Sequence, residues 1–315
     1  MASQSVPVID INRLGDPETL AAIDRACRDW GFFQVTNHGI KAGLIDGLER
    51  AMHEFFALPK AAKDQVLRTR DNPWGFYDKE LTKNVRDWKE VFDYGPGDGS
   101  KLVPRFPDGL PGFEAAITAY AATCEDLAFR LLAAISSNLG MPDDFLAASF
   151  GTTHTSFLRF NYYPVCPEPA RPHGLDLPTD GHMGVSHHTD AGALTLLLQD
   201  DQPGLEVFRD GDWYLIEPRD DALVINIGDI VQVWSNDRYR AALHRVVTNA
   251  DHARYSAPYF FNPRYDIDYA PLPSMVDAEH PAHYQSINWG EFRALRADGD
   301  YADYGEEVQI SNYKT

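Results

Sequence analysis

A chain of 315 residues with 44% hydrophobic and 24% charged residues has room for one large domain or two ordinary ones around a substantial core. Its 28 Lys and Arg against 47 Asp and Glu leave a formal net charge of −19, which repels phosphate backbones and anionic lipid and argues against nucleic acid and membrane partners. No apolar run approaches the roughly eighteen residues that cross a bilayer, and MASQSVPVIDINRL lacks a basic segment followed by an apolar one, so a cytoplasmic location is expected.

The first half reads mostly helical. PETLAAIDRACRDWG carries apolar residues at Leu20, Ile23, Ala26 and Cys27, with Gly31 as its stop. FFQVTNHG (Phe32–Gly39) reads as a strand closed by a turn, and AGLIDGLERAMHEFFALP returns to helical spacing before Pro59. A longer helix is predicted from about Gly112 to Gly140, packed along one side of the fold. Near residue 154 the texture changes to short β-rich runs: TSFLRFNYYPV, GALTLLLQD, GLEVFRDGDWYLIEP, ALVINIGDIVQVWS, AALHRVVTN and RYSAPYFFNP. Such spacing predicts an all-β barrel or sandwich rather than a parallel α/β sheet. The expected organisation is a helical N-terminal region with a few strands (1–150) packed on a β core (151–287), and a C-terminal helix and tail (288–315), acting as one cooperative unit. Cys27, Cys124 and Cys166, odd in number and far apart, read as free thiols in a reducing compartment.

The chemistry concentrates in SHHTDAGALTLLLQD, Ser186 to Asp200. Residues i and i+2 of a strand share a face, so His188 and Asp190 offer an imidazole and a carboxylate to one point, with Thr189 turned away. His244, in AALHRVV, is the third candidate ligand. Two histidines and one carboxylate on one face of a metal leave positions open, the geometry of non-haem Fe(II) oxygenases. The bland alternative is a capping histidine beside a turn aspartate. His187 points the other way, to the surface or to support its neighbours, and His173 and His182 sit in a Pro/Gly-rich loop and are not read as ligands.

Ten residues beyond His244, Arg254 and Ser256 share a strand face. A guanidinium grips a carboxylate through two parallel hydrogen bonds, and a hydroxyl adds a third. Arg159, Asn161 and Tyr163 share a face of their own strand, where the tyrosine hydroxyl could complete a carboxylate cage. An inward arginine is costly unless it meets an anion, which favours a small acid beside the metal.

With VPVIDI, WGFFQVTNHGI, FNYYPVCPEP, HTDAGALTLLLQDDQPGLEV, LVINIGDIVQVWSNDRYRAALHRVV and RYSAPYFFNP in this order, the chain resembles the isopenicillin N synthase-like branch of the Fe(II)/2-oxoglutarate-dependent dioxygenases over nearly its whole length. The resemblance implies a double-stranded β-helix (jelly-roll) barrel with flanking helices. It implies Fe(II) on His188, Asp190 and His244, and 2-oxoglutarate held at its distal carboxylate by Arg254 and Ser256 with help from Tyr163 and Asn161. It further implies O2 as oxidant, with ascorbate as an optional reductant, and oxidation of a small molecule by hydroxylation, desaturation or ring closure with release of succinate and CO2. The leucines after Asp190 would then build the apolar wall around the ligands. Left open beside this are an iron oxidase of the isopenicillin N synthase or aminocyclopropane-carboxylate oxidase type that does not use 2-oxoglutarate, an ethylene-forming relative, and a non-catalytic sensor of iron or a small acid.

Candidate substrate contacts are Phe260, on the Arg254 face, Arg159, as a partner for a substrate anion, and Trp74, Phe76 and Tyr77 in the variable stretch NPWGFYDKE. The Val165–Ser186 segment, longer than in the plant enzymes of this family, is expected as a loop near the site entrance.

Overall fold

The computed structural model describes residues 5–69, 71–95, 102–299 and 308–315. Alternation in the second half of the chain produces two facing sheets. The larger takes β1 (Val8–Asp10), β2 (Phe32–Thr36), β3 (Gly75–Tyr77), β6 (Glu90–Tyr94), β7 (Phe157–Tyr163), β9 (Leu194–Gln199), β12 (Ala222–Ile227) and β14 (Arg254–Phe261), in the order β1-β2-β12-β9-β14-β7-β6-β3. The smaller takes β8 (Met183–His188), β10 (Leu205–Arg209), β11 (Asp212–Leu215) and β13 (His244–Val247), in the order β11-β10-β13-β8. A hairpin of β4 (Leu81–Thr82) and β5 (Val85–Arg86) is hydrogen-bonded to neither sheet, with β4 lying against β8. This is the expected jelly roll, but among the described residues the two sheets do not close into a barrel.

Period-two burial sorts the strands into two cores. Phe32, Tyr163, Val185, Leu197, Val207, Val224 and Val246 meet between the sheets. Leu158, Phe160, Leu194, Leu196, Leu198, Tyr259 and Phe261 lie in the core shared with the helices. The leucine run after Asp190 is therefore split: only Leu197 faces the sandwich interior, beside Thr195.

The helices follow their apolar stripes. α1 (Pro17–Asp29) starts with Pro17, buries Ile23, Ala26 and Cys27, and ends where Gly31 takes φ +65°. α2 (Ala42–Phe56) buries Leu48, Met52, Phe55 and Phe56, and a short α3 (Lys60–Lys63) follows. The long helix is α4 (Phe113–Asn138), whose buried Ile117, Tyr120, Cys124, Leu127, Leu131 and Ile135 recur at threes and fours and face β7, β9 and β14.

The N-terminal region is helical with a few strands: β1 and β2 extend the large sheet beyond β12, and β6 and β3 extend it beyond β7. ALVINIGDIVQVWS is not all strand: β12 stops at Ile227 and α5 (Asp229–Trp234) begins after Gly228. The Val165–Ser186 segment is not loop throughout, and its Val185 lies beside His188 at the site. It is strapped to the small sheet through Trp213 Nε1 to the Gly174 carbonyl (2.7 Å) and Arg245 to the Pro172 carbonyl (3.0 Å), and its last residues are β8 itself. At the C-terminus α6 (Trp289–Gly299) forms as expected, while the middle of the anticipated tail, 300–307, lies outside the described residues.

Candidate metal centre and its two compartments

His188 ends β8 and His244 opens β13, and the two are register partners across the antiparallel pair. Their rings lie 4.2 Å apart. Asp190 reaches them by a different route from the one strand parity implies. β8 stops at His188, and Asp190 sits in the turn that follows, where its carbonyl accepts the Asp229 N–H (2.8 Å) and the Gly192 carbonyl accepts that of Ile230 (3.1 Å). Gly228 permits this approach, since a Cβ there would come within 2.2 Å of the Gly192 oxygen.

The result converges three donors. Asp190 Oδ1 lies 3.7 Å from His188 Nε2 and 3.6 Å from His244 Nε2, and the three ligand atoms fall within 4.8 Å of one another. The other atoms are already spoken for. His188 Nδ1–H donates to the Ser186 carbonyl (2.9 Å) and His244 Nδ1–H to that of Ala242 (3.1 Å), which fixes both tautomers with Nε2 as the lone-pair atom. Asp190 Oδ2 accepts from Thr195 Oγ1 (2.5 Å) and Asn226 Nδ2 (2.8 Å). Burial, aided by His244, pushes the His188 imidazole down to about 3, so the ring is neutral near pH 7. Burial also favours the neutral acid at Asp190, but His244, His188, Thr195 and Asn226 outweigh it and hold the carboxyl below its usual 3.8. Neutral imidazoles and an ionised carboxylate are the forms that ligate a divalent metal.

Two adjoining compartments share His188 and Asp190 as lining. The first, about 90 Å³, is floored by β14, β7 and β9 and contains Arg254, Ser256, Asn161 and Tyr163, so the structure brings all four predicted residues together. Arg254 is buried. Its Nη2 donates to Gln199 Oε1 (2.8 Å), its Nη1 approaches Ser256 Oγ at 3.5 Å, and Asn161 Nδ2 donates to the same hydroxyl (3.3 Å). Its Nε has no hydrogen-bond partner, and no carboxylate among the described residues pairs with it. The Tyr163 ring faces the guanidinium at 5.2 Å. A buried cation with an orphan donor, beside a hydroxyl and an amide, fits the distal carboxylate of a keto acid whose other end reaches the metal.

The second compartment, about 140 Å³, opens on the other side of the ligands. Phe260 and Phe157 pack there with ring centres 4.8 Å apart. Arg159 lines both compartments, but not as a group awaiting a substrate anion. It holds Glu80 with two bonds (2.9 and 2.8 Å) and Asp93 with two more (2.7 and 2.8 Å). Lys89 shares this network, 2.9 Å from Glu80 and 3.0 Å from Asp87. The three aromatic residues of NPWGFYDKE line neither compartment. Phe76 is fully buried against Phe55, Tyr77 stacks over Arg68 (4.3 Å), and Trp74 touches the Phe157 ring from 5.9 Å. Thr189, expected to turn away, lines the second compartment. His187 is buried, its ring 6.4 Å from Trp213, and His182 stacks on Trp88 at 4.5 Å.

Sequence reasoning missed Lys89, Gln199, Thr195 and Asn226, and also Arg293, which lines the second compartment. Asn226 carried a signal, being polar within the otherwise apolar VINI of a buried strand. Lys89 and Arg293 carried none, because only the fold brings them to the ligands.

A jelly roll with two imidazoles and a carboxylate at its mouth, and an arginine waiting deep inside, defines a non-haem iron oxygenase that takes a keto acid. Residues 154–263 match the 2OG-Fe(II) oxygenase superfamily, and residues 6–107 match the N-terminal region of non-haem dioxygenases of the morphine-synthesis type. The chain is 36% identical over 294 residues to flavanone 3-dioxygenase 2 of Oryza sativa subsp. japonica, covering 91% of this chain and 82% of that protein. It is 33% identical to jasmonate-induced oxygenase 2 of Arabidopsis thaliana, covering 98% and 83% respectively. Among solved structures, JOX2 with 2OG, Fe and JA superposes with a TM-score of 0.80 at 33% identity, over 92% of this chain and 84% of that one. A full-length Neurospora crassa protein solved with alpha-KG and thymine superposes with a TM-score of 0.81 at 26% identity, over 94% and 97%. The chain belongs to the 2-oxoglutarate/Fe(II)-dependent oxygenases. Its cofactor is Fe(II), its co-substrate 2-oxoglutarate, and it oxidises a small molecule.

Proposed function

We propose that His188, Asp190 and His244 hold the iron, and that Arg254 and Ser256 grip the distal carboxylate of 2-oxoglutarate with Asn161 and Tyr163 beside them. The observation that carries this is the buried Arg254, its Nε without a partner and no carboxylate among the described residues paired with it, in the compartment that also exposes all three ligands. Iron with the keto acid supplies the oxidising chemistry, consuming O2 and releasing succinate and CO2. The protein does the rest. Ser186 and Ala242 carbonyls set the imidazole tautomers, Thr195 and Asn226 leave one oxygen of Asp190 for the metal, and Leu197, Val185 and Val246 keep water from the site. Arg254 fixes the co-substrate on one side, so that the second compartment, floored by Phe157 and Phe260, is where the molecule to be oxidised sits.

Residues 1–150, 151–287 and 288–315 act as one cooperative unit, a reading supported by the N-terminal strands on both flanks of the large sheet. Three free, buried cysteines suit a reducing compartment, and among the described residues no helix is long and apolar enough to cross a membrane; we place the protein in the cytoplasm.

The test is anaerobic. Fe(II) and then 2-oxoglutarate are added to apoprotein and the visible spectrum is followed. A charge-transfer band that needs both additions and vanishes in Arg254→Ala is expected. Iron uptake without such a band would overturn the assignment of the first compartment and favour an oxidase that draws its electrons elsewhere.

A further inference from the structure

The second compartment holds a cation that the neighbouring ion pairs do not balance. In that network Arg68, Lys89 and Arg159 face Glu80, Asp87 and Asp93, three cations to three anions. Arg293 lies outside it. It extends from α6, half-buried, to line the compartment with its Cζ 5.8 Å from the Phe157 ring. Among the described residues it has no ion-pair partner, in a chain whose net charge is −19 and in which carboxylates are plentiful.

A guanidinium held against an aromatic wall is partly desolvated, and a planar carboxylate returns the lost interactions through two charge-assisted bonds. Lys89 lines the same compartment, and two of its three N–H groups are engaged by Glu80 and Asp87. Phe157, Phe260, His188 and Asp190 line it too, so an anion held at Arg293 and Lys89 has apolar rings and two of the metal ligands around the same space.

Resting on the oxygenase reading above, we propose that the substrate is a small carboxylate with an apolar, ring-bearing body, its carboxylate gripped by Arg293 with Lys89 as the second cation, and its body against Phe157 and Phe260. The body, not the carboxylate, then lies beside His188 and Asp190, so oxidation falls on a C–H bond remote from the acid.

The experiment uses the full chain saturated anaerobically with Fe(II) and 2-oxoglutarate, and titration calorimetry with phenylacetate, 3-phenylpropanoate and 1-naphthylacetate, each against its own methyl ester. At least one acid is expected to bind about tenfold or more tighter than its ester. Arg293→Gln should erase that preference and Arg293→Lys restore part of it, while 2-oxoglutarate binds all three proteins alike. An acid series that does not bind, acids and esters that bind equally, or a preference that survives Arg293→Gln would each overturn the proposal. A protein that fails to bind 2-oxoglutarate at all takes the oxygenase reading down with it; one that binds 2-oxoglutarate but ignores substrate charge loses only the substrate class.

Discussion

Asn226 Nδ2 donates to Asp190 Oδ2 at 2.8 Å, and with Thr195 on the same oxygen it leaves Oδ1 alone facing His188 and His244. A polar side chain in the middle of β12 thus decides which carboxylate oxygen meets the metal. Loss of such supporting contacts commonly costs about 10–100-fold in metal affinity. Asn226→Leu and Thr195→Val are therefore each expected to weaken Fe(II) binding by about tenfold with little change in 2-oxoglutarate affinity once iron is saturating. Competition with a chelating dye measures this. Unchanged iron affinity in both variants would mean that Asp190 is oriented by its backbone turn alone.

Arg254 makes the complementary prediction. Its guanidinium is buried, with Gln199 and Ser256 as neighbours and Nε without a partner. Arg254→Lys keeps the charge but not the planar fork, and should weaken 2-oxoglutarate by about tenfold or more, while Fe(II) binding stays as in the parent. Equal 2-oxoglutarate affinity in the two proteins would show that the fork is not what holds the carboxylate.

These two cases show what the sequence could and could not disclose. His188, His244, Arg254 and Ser256 stand on strands, where parity alone predicts the face. Asp190 was found by the same rule although the rule does not apply to it, because β8 ends two residues earlier and a turn clamped by Asp229 and Ile230 carries it inward. Arg159 was on the right face and in the wrong role: its partners Glu80 and Asp93 are 79 and 66 residues away, and only the pairing of β6 with β7 brings Asp93 alongside. Phe76 failed through register. Beside Gly75 and Tyr77 in a short edge strand, its side chain faces α2 rather than the compartments. Lys89 and Arg293 depend on tertiary packing throughout.

The Glu80 network predicts an acid limb to stability. Burial favours the neutral form of Glu80, yet Arg159, Lys89 and Arg68 outweigh it and hold the carboxyl well below 4.5. In the unfolded chain Glu80 takes up its proton near 4.5, so its stabilisation is complete above that value and is lost as pH falls through the folded pKa. Asp87 has the opposite sign. Burial pushes it up to about 6 from 3.8, so stability falls as pH rises through that interval and is level above it. Urea unfolding at pH 7, 5 and 4 should show Glu80→Gln costing about 3–5 kcal/mol at pH 7, as removal of one partner from a buried ion pair does. Asp87→Asn should be stabilised relative to the parent as pH rises from 4 to 7. A Glu80→Gln protein as stable as the parent at pH 7 would show the network to be solvated.

Phe76 and Phe260 separate packing from recognition. Phe76 is fully buried among Phe55 and the α3 lysines, whereas Phe260 is half-buried on the compartment floor against Phe157. Deleting a buried phenyl ring typically costs about 3–5 kcal/mol, and Phe76→Ala is expected in that range, with the turnover of the remaining folded protein unchanged. Phe260→Ala removes less buried surface and should be milder in thermal unfolding. Its effect belongs in KM for the oxidised substrate, since the ring offers the apolar face on which that molecule rests. Thermal melts together with succinate release under saturating 2-oxoglutarate read both quantities. A Phe260→Ala enzyme with the parent's KM would place the substrate away from that floor, and a Phe76→Ala enzyme that stays stable but loses substrate affinity would return Phe76 to the site.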